Sequence, residues 1–157
     1  MNAESQSPDP ELGYFEIQSL IGTTKHMGGF EMTRTLVERC GLSNRARVLD
    51  VGCGVGATAV HLARTGARRV IALDRLHSMT VQARDRARRE GVVDRVRFVT
   101  ADAQHLPFAE GQFDGILCES VLTFIDDKQR PLDELGRAAE PGACVGLNEE
   151  TWLKPPT

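Results

Sequence analysis

No apolar run in the sequence comes near the ~20 residues of a membrane span, and the opening MNAESQSPDPE lacks the basic and apolar layout of a secretory signal. A cytoplasmic location without a membrane partner is therefore expected. Charge of one sign is not in excess either: 19 basic against 22 acidic residues leave a formal net charge of -3, so no broad field attracts a polyanion. Aromatic residues are scarce, with one Trp, one Tyr and six Phe, and they form no stripe with basic residues on which bases could stack. These absences argue against nucleic acid as a partner. The cluster Arg84, Arg86, Arg88 and Arg89 is interspersed with Asp85 and Glu90 and reads as a solvated helix face.

Metal-ligand spacing is missing too. The four cysteines, Cys40, Cys53, Cys118 and Cys144, are scattered, with no Cys-x-x-Cys pair and no His at zinc spacing. They are expected to be reduced, small apolar residues, since free Cys is among the most buried residue types. No metal site is expected.

What is present is the length and apolar content of one domain: 157 residues, of which 41% are hydrophobic. Residues 1–10 are polar and Pro-containing and are expected to form a disordered tail, leaving residues 11–157 as a single domain. From Phe30 to Cys40 apolar residues recur at helical spacing, and Gly41 follows as a C-terminal cap. Short β-rich runs then alternate with helical patterns. The strands are expected at Arg47–Val51, Arg69–Leu73, Arg95–Thr100, Phe113–Cys118 and Ala143–Leu147, and the helices at about 56–65, 77–90 and 128–139. Strands apolar on both faces that alternate with helices describe a parallel sheet covered on both sides, with right-handed crossovers. The expected fold class is α/β, a doubly wound, Rossmann-like, mainly parallel sheet with helices on both faces.

The segment VLDVGCGVGAT, residues 48–58, runs from a buried strand through Gly52, Gly54 and Gly56 into a helix. Glycines there let the backbone turn sharply and let a ligand approach main-chain N–H groups. Spacing alone leaves two ligands open, because Gly52, Gly54 and Ala57 also satisfy the dinucleotide fingerprint. Asp50 tips the balance. A dinucleotide would put an anionic pyrophosphate beside this carboxylate, whereas S-adenosylmethionine brings an ammonium and a sulfonium, both cationic.

Asp50-Val51-Gly52-Cys53-Gly54-Val55-Gly56 resembles the first motif of class I S-adenosylmethionine-dependent methyltransferases of the small-molecule type. The resemblance implies S-adenosyl-L-methionine as cofactor, S-adenosyl-L-homocysteine as product, and a sequence of site residues along the chain. Asp74, 22 residues after Gly52, stands where such enzymes hold both ribose hydroxyls, with Arg75 beside it. A dinucleotide enzyme uses the same device. Asp102, in VTADAQHLPF, stands where the family accepts from the adenine amino group, and the Ala103 N–H where it contacts the ring; a turn-capping role is the alternative for Asp102. Glu119 ends FDGILCES at the crevice where open α/β sheets bind ligands, while Asp114 stands at the opposite end and reads as structural. The segment His26-Met27-Gly28-Gly29 is similar to a His-x-Gly-Gly stretch near the methionine end of the cofactor in some members. Glu149 and Glu150 lie on the expected acceptor side.

The resemblance covers residues 20–150, yet the family has seven strands and this sequence supplies five, lacking the usual C-terminal strand pair. The uncharged run Ala143–Leu147 would then be a sheet edge, and such edges are sticky. A homodimer, or a partner chain over this fifth strand, is expected. The expected function is methyl transfer to a small-molecule acceptor, with independent activity left open by the missing elements and no catalytic residue assigned. The alternatives are a non-catalytic cofactor-binding module that completes or regulates a partner chain, and, behind it, an NAD-dependent oxidoreductase, for which no Tyr-x-x-x-Lys pair is present.

Overall fold

The computed structural model describes residue 26, residues 28–45 and residues 47–150. The tail expected over residues 1–10 lies outside them. In chain order the elements are α1 (Gly29–Arg39), β1 (Arg47–Val51), α2 (Ala57–Thr65), β2 (Arg69–Asp74), α3 (His77–Arg89), β3 (Val96–Thr100), β4 (Phe113–Glu119), α4 (Gln129–Ala138) and β5 (Ala139–Asn148). Short 3-10 turns follow α1 at Leu42–Asn44 and β4 at Leu122–Phe124. The sheet order is β3-β2-β1-β4-β5 and every neighbouring pair is parallel.

Alternation along each strand divides the core in two. Val48, Val70, Ala72 and Leu117 pack on one face with Val37 of α1, Leu62 of α2 and Ala83 and Ala87 of α3. Leu49, Val51, Leu73 and Ile116 pack on the other with Leu135 and Ala138 of α4. Successive side chains of a strand point to opposite faces, so strands of continuous Val, Ile and Leu need helices on both. Each fully buried Leu or Val contributes roughly 1.5–3 kcal/mol, so these two layers supply the main drive for folding. The doubly wound, Rossmann-like arrangement read from the sequence is the one observed.

Two expectations are corrected. The fifth strand starts at Ala139 rather than Ala143: Ala139 pairs with Phe113, the chain bulges through Pro141 and Gly142, and pairing resumes at Cys144 opposite Gly115. Strand spacing hides such a bulge because Pro and Gly read as a turn. The cysteines are not all reduced. Cys40, capping α1, forms a disulfide with Cys144 of β5 across a Cα–Cα distance of 5.4 Å, while Cys53 and Cys118 are free and buried. A pairing over a separation of 104 residues depends on how α1 packs against the sheet, which spacing does not reveal.

Because all five strands are parallel, their C-terminal ends share one edge of the sheet. The chain order reverses between β1 and β4, and a crevice opens there, the usual ligand position in open α/β sheets.

Candidate functional site

At this edge lies a cavity of about 230 Å³. Eight of the nine residues expected at the site line it: Asp50, Gly52, Gly54, Asp74, Arg75, Asp102, Ala103 and Glu119. Gly56 does not. A Cβ at Gly56 would come within 2.7 Å of the Ala83 Cβ, so a glycine here lets α2 and α3 approach.

The glycine turn is held from β2. The N–H groups of Gly52 and Cys53 both donate to the Leu73 carbonyl at 2.8 Å, and the Gly54 N–H donates to Asp74 Oδ2 at 2.9 Å. Gly52 and Gly54 have φ of 72° and 50°, in the left-handed region where a Cβ is costly. Their surroundings differ. A side chain at Gly52 would collide with Val121, whereas nothing lies within 4 Å of a Cβ position at Gly54, which faces open space.

Three aspartates end or follow three adjacent strands in this cavity. Asp50 is 4% exposed, and burial, followed by the Glu119 and Asp74 carboxylates, pushes its carboxyl up to about 8. One compensating interaction is the Ala59 N–H. Asp74 accepts from Leu76 N–H through Oδ1 and from Gly54 N–H through Oδ2, both at 2.9 Å; burial still raises its carboxyl, and these bonds oppose the rise. Asp102 accepts from the Gln104 N–H at 2.8 Å, so it caps its own turn as well as lining the cavity.

Glu119 is met by residues that the sequence did not single out. Thr33 Oγ1 donates to its two oxygens at 3.0 and 3.2 Å, Thr58 Oγ1 to Oε2 at 3.5 Å and Asn148 Nδ2 to Oε1 at 3.4 Å. His26 completes the cluster, with Nε2 at 3.2 Å from Thr33 Oγ1 and Nδ1 at 3.7 Å from Glu119 Oε1. Glu119 thus gathers α1, α2, β5 and the His26 segment at one end of the cavity. The position of Asn148 at the end of β5 was the available signal, since parallel strands deliver their last residues to the crevice. Thr33 offered none.

Two other acids bind backbone N–H groups, one at each end of β4. Glu149 Oε1 accepts from Val121 and Leu122 N–H at 2.9 and 3.1 Å and Oε2 from Thr123 N–H at 3.1 Å, capping the turn after β4. Its two oxygens are thus taken up by this turn, with Thr123 Oγ1 donating to Oε2 as well. Asp114 accepts from Arg47 N–H at 2.9 Å, as its position implied. Ser120, also on the cavity wall, has φ of 54° and was not foreseen. The Cys53 thiol lines the cavity, but burial pushes it well above the ordinary range, and burial likewise raises Cys118, so neither is a nucleophile at neutral pH. Among the described residues no group of three His, Cys, Asp or Glu side chains is gathered to hold a metal.

A family model described as "Methyltransferase domain" matches residues 49–146, well over half of the chain. The chain belongs to the class I S-adenosylmethionine-dependent methyltransferase family. It is 41% identical over 135 residues to Methyltransferase GfsG of Streptomyces halstedii, covering 86% of this chain and 48% of that protein. It is 30% identical over 136 residues to O-methyltransferase resE of Aspergillus sclerotiorum, covering 87% and 51%. The chain therefore spans about half the length of these curated relatives. Among solved structures it resembles the [4+2]-cyclase SpnF, with a TM-score of 0.71 and 32% identity over 74% of this chain and 43% of that one. A Methanococcus maripaludis protein described as an S-adenosyl-L-methionine-dependent methyltransferase shares the fold, with a TM-score of 0.70 and 22% identity over 75% and 53%. No helix among the described residues of this methyltransferase-family chain is long and apolar enough to cross a membrane.

Proposed function

We propose that the chain forms the S-adenosyl-L-methionine-binding half of a methyltransferase whose acceptor is a small molecule. One observation carries the reading. Two buried side-chain oxygens among the described residues lack a hydrogen-bond partner, Asp50 Oδ2 and Ser120 Oγ, and both residues line the cavity. Buried polar atoms in native proteins are paired almost without exception, so an orphan in a cavity points to a ligand that supplies the partner. A ligand rich in N–H and O–H donors and carrying positive charge fits a wall of Asp50, Asp74 and Glu119; an anionic pyrophosphate does not.

In this reading the ammonium end of the cofactor lies toward Asp50 and the ribose hydroxyls toward Asp74. The adenine lies toward Asp102 and the Ala103 N–H, and the open face of Gly54 gives the backbone close access. The bound cofactor supplies an electrophilic methyl on a sulfonium for in-line attack by the acceptor. The protein contributes proximity and orientation, and no residue needs to act as a base. Phe124, 55% exposed, and Ile125 border the cavity and would give an apolar acceptor a surface.

Calorimetric titration of the purified chain with S-adenosylhomocysteine and, separately, NADH tests the reading. Micromolar binding of the former alone supports it; binding of NADH alone sinks it. A second reading is a non-catalytic module, and the exposed edge of β5 is the feature that favours it. A cofactor-binding module that completes a partner would bind S-adenosylhomocysteine yet transfer no methyl group without that partner. The β5 edge bears on this choice, because Val145 and Leu147 are 36% and 40% exposed on a strand paired with β4 on one side and with no strand on the other among the described residues. A second copy or a partner chain covers it in our reading, and a monodisperse monomer by light scattering at high concentration would remove that element.

A further inference from the structure

We propose that Asp50 exchanges a proton for the cofactor's ammonium: it is protonated in the free chain and releases that proton to solvent when an amino-acid-bearing ligand enters. The inference rests on the cofactor reading above and adds a chemical event to it. Asp50 lies in the middle of the sheet, on β1 between β2 and β4, opposite Ala72 and Leu117, and is 4% exposed where it meets the cavity. The groups facing it are one-sided. Asp74 approaches from β2, Cys53 from the glycine turn, and Cys118 and Glu119 from β4, while α2 offers the Ala59 N–H. His26 approaches from the segment before α1, but it lies against Glu119. No basic side chain is among the groups that shift Asp50.

A buried carboxylate with one unpartnered oxygen and two carboxylate neighbours has two routes to neutrality. It can hold a proton, or it can accept hydrogen bonds from a cation. Without ligand the first route applies, consistent with a carboxyl raised to about 8. When an ammonium arrives, the O–H bond of Asp50 breaks, the proton leaves to buffer, and an ammonium N–H takes its place on Oδ2. The ammonium keeps its own charge and no electrons move. Binding and proton release are then linked, so below pH 8 affinity rises about tenfold per pH unit.

The test is calorimetry of S-adenosylhomocysteine binding to the full chain at pH 7 in phosphate and in Tris, whose ionisation enthalpies differ widely. The expected result is a buffer-dependent enthalpy equal to release of close to one proton. 5′-Methylthioadenosine, which keeps the adenosine and lacks the ammonium, should bind with no release. Asp50→Asn should bind S-adenosylhomocysteine without release, and His26→Gln should still release. Equal enthalpies in the two buffers overturn the proposal and leave the cofactor reading standing. Absence of any binding to a folded chain removes both. Release from methylthioadenosine, or from a folded Asp50→Asn chain, also overturns it. If Asp50→Asn does not fold, the comparison of the two ligands on the native chain decides.

Discussion

The carboxylate of Asp74 is hydrogen-bonded to the backbone of Gly54 at 2.9 Å, so the residue that ends β2 also holds the turn that follows β1. Asp74 Oδ1 is tied to Leu76 in the same way. A carboxylate has about four acceptor sites, and two remain for a ligand. The acid therefore shapes the turn and faces the cavity at once.

Asp74→Ala should accordingly lose two backbone hydrogen bonds as well as ligand contacts. We expect a stability loss of about 1–3 kcal/mol in urea denaturation and at least tenfold weaker binding of S-adenosylhomocysteine. Asp74→Asn keeps one acceptor and should fall between. Unchanged affinity in both variants would remove the adenosine from this end of the cavity.

Gly54 separates the ligand effect from the fold. At φ 50° nothing lies within 4 Å of its Cβ position, so Gly54→Val places its side chain in the space above the turn. Strain at the left-handed position should cost about 1–3 kcal/mol, leaving a folded chain by circular dichroism. Binding of S-adenosylhomocysteine should disappear. If it persists, the ligand does not approach this backbone.

The pH dependence of stability isolates Asp50. Its carboxyl stands at about 8 in the folded chain against 3.8 ordinarily. Below about pH 4 both states are protonated and the folded chain has the full benefit. Between about pH 4 and 8 the unfolded chain ionises first, so stability falls as pH rises, on the order of a few kcal/mol in all, and levels off above 8. Asp50→Asn cannot ionise and should lack that slope, becoming more stable than the native chain at pH 8 relative to pH 5. Parallel slopes in urea titrations at the two pH values would show that Asp50 is ionised throughout.

How much of this was legible follows from what sequence patterns encode. Continuous Val, Leu and Ile runs between helical periods specified the sheet, and the strand ends placed Asp50, Asp74, Asp102 and Glu119 together, because parallel strands deliver their termini to one edge. The packing of Gly56 against Ala83 was hidden, because a glycine needed for helix packing and one needed for a ligand look identical in one dimension. The approach of Thr33 to Glu119 was illegible for a different reason. It depends on α1 crossing the sheet edge, a tertiary relation carried by no local spacing. The same relation brings Cys40 to Cys144.

The segment Leu106-Pro107-Phe108, which follows Asp102, is fixed by α4. Glu134 Oε2 accepts from the Leu106 N–H at 2.7 Å, and Arg137 bridges Glu134 to the Phe108 and Leu106 carbonyls at 2.7 and 3.1 Å. The Arg137 guanidinium, bonded to both Glu134 oxygens, holds the Glu134 carboxyl well below its ordinary 4.5. Its contribution is present above about pH 4.5 and is lost as pH falls toward 2. Glu134→Gln should lower Tm by roughly 3–6 °C at pH 7 and leave it unchanged near pH 2. A shift of equal size at both pH values would mean that packing, not the ion pair, holds this loop.

Ser120 offers the sharpest separation of stability from binding. A serine at φ 54° is strained, its hydroxyl is buried without a partner, and it stands on the cavity wall between Glu119 and Val121. Strain of this kind persists where the surroundings over-determine it, and it collects at binding sites. Ser120→Gly relieves the backbone and removes the orphan hydroxyl, at a cost in unfolded-chain entropy, for a net gain of about 1 kcal/mol in stability. If the hydroxyl awaits a ligand donor, the same variant should bind S-adenosylhomocysteine several-fold more weakly. Ser120→Ala should share the loss of affinity without the gain in stability, because it keeps the strained backbone. A Gly variant that is both more stable and equally avid would mean that the strain serves only the entry into the turn capped by Glu149.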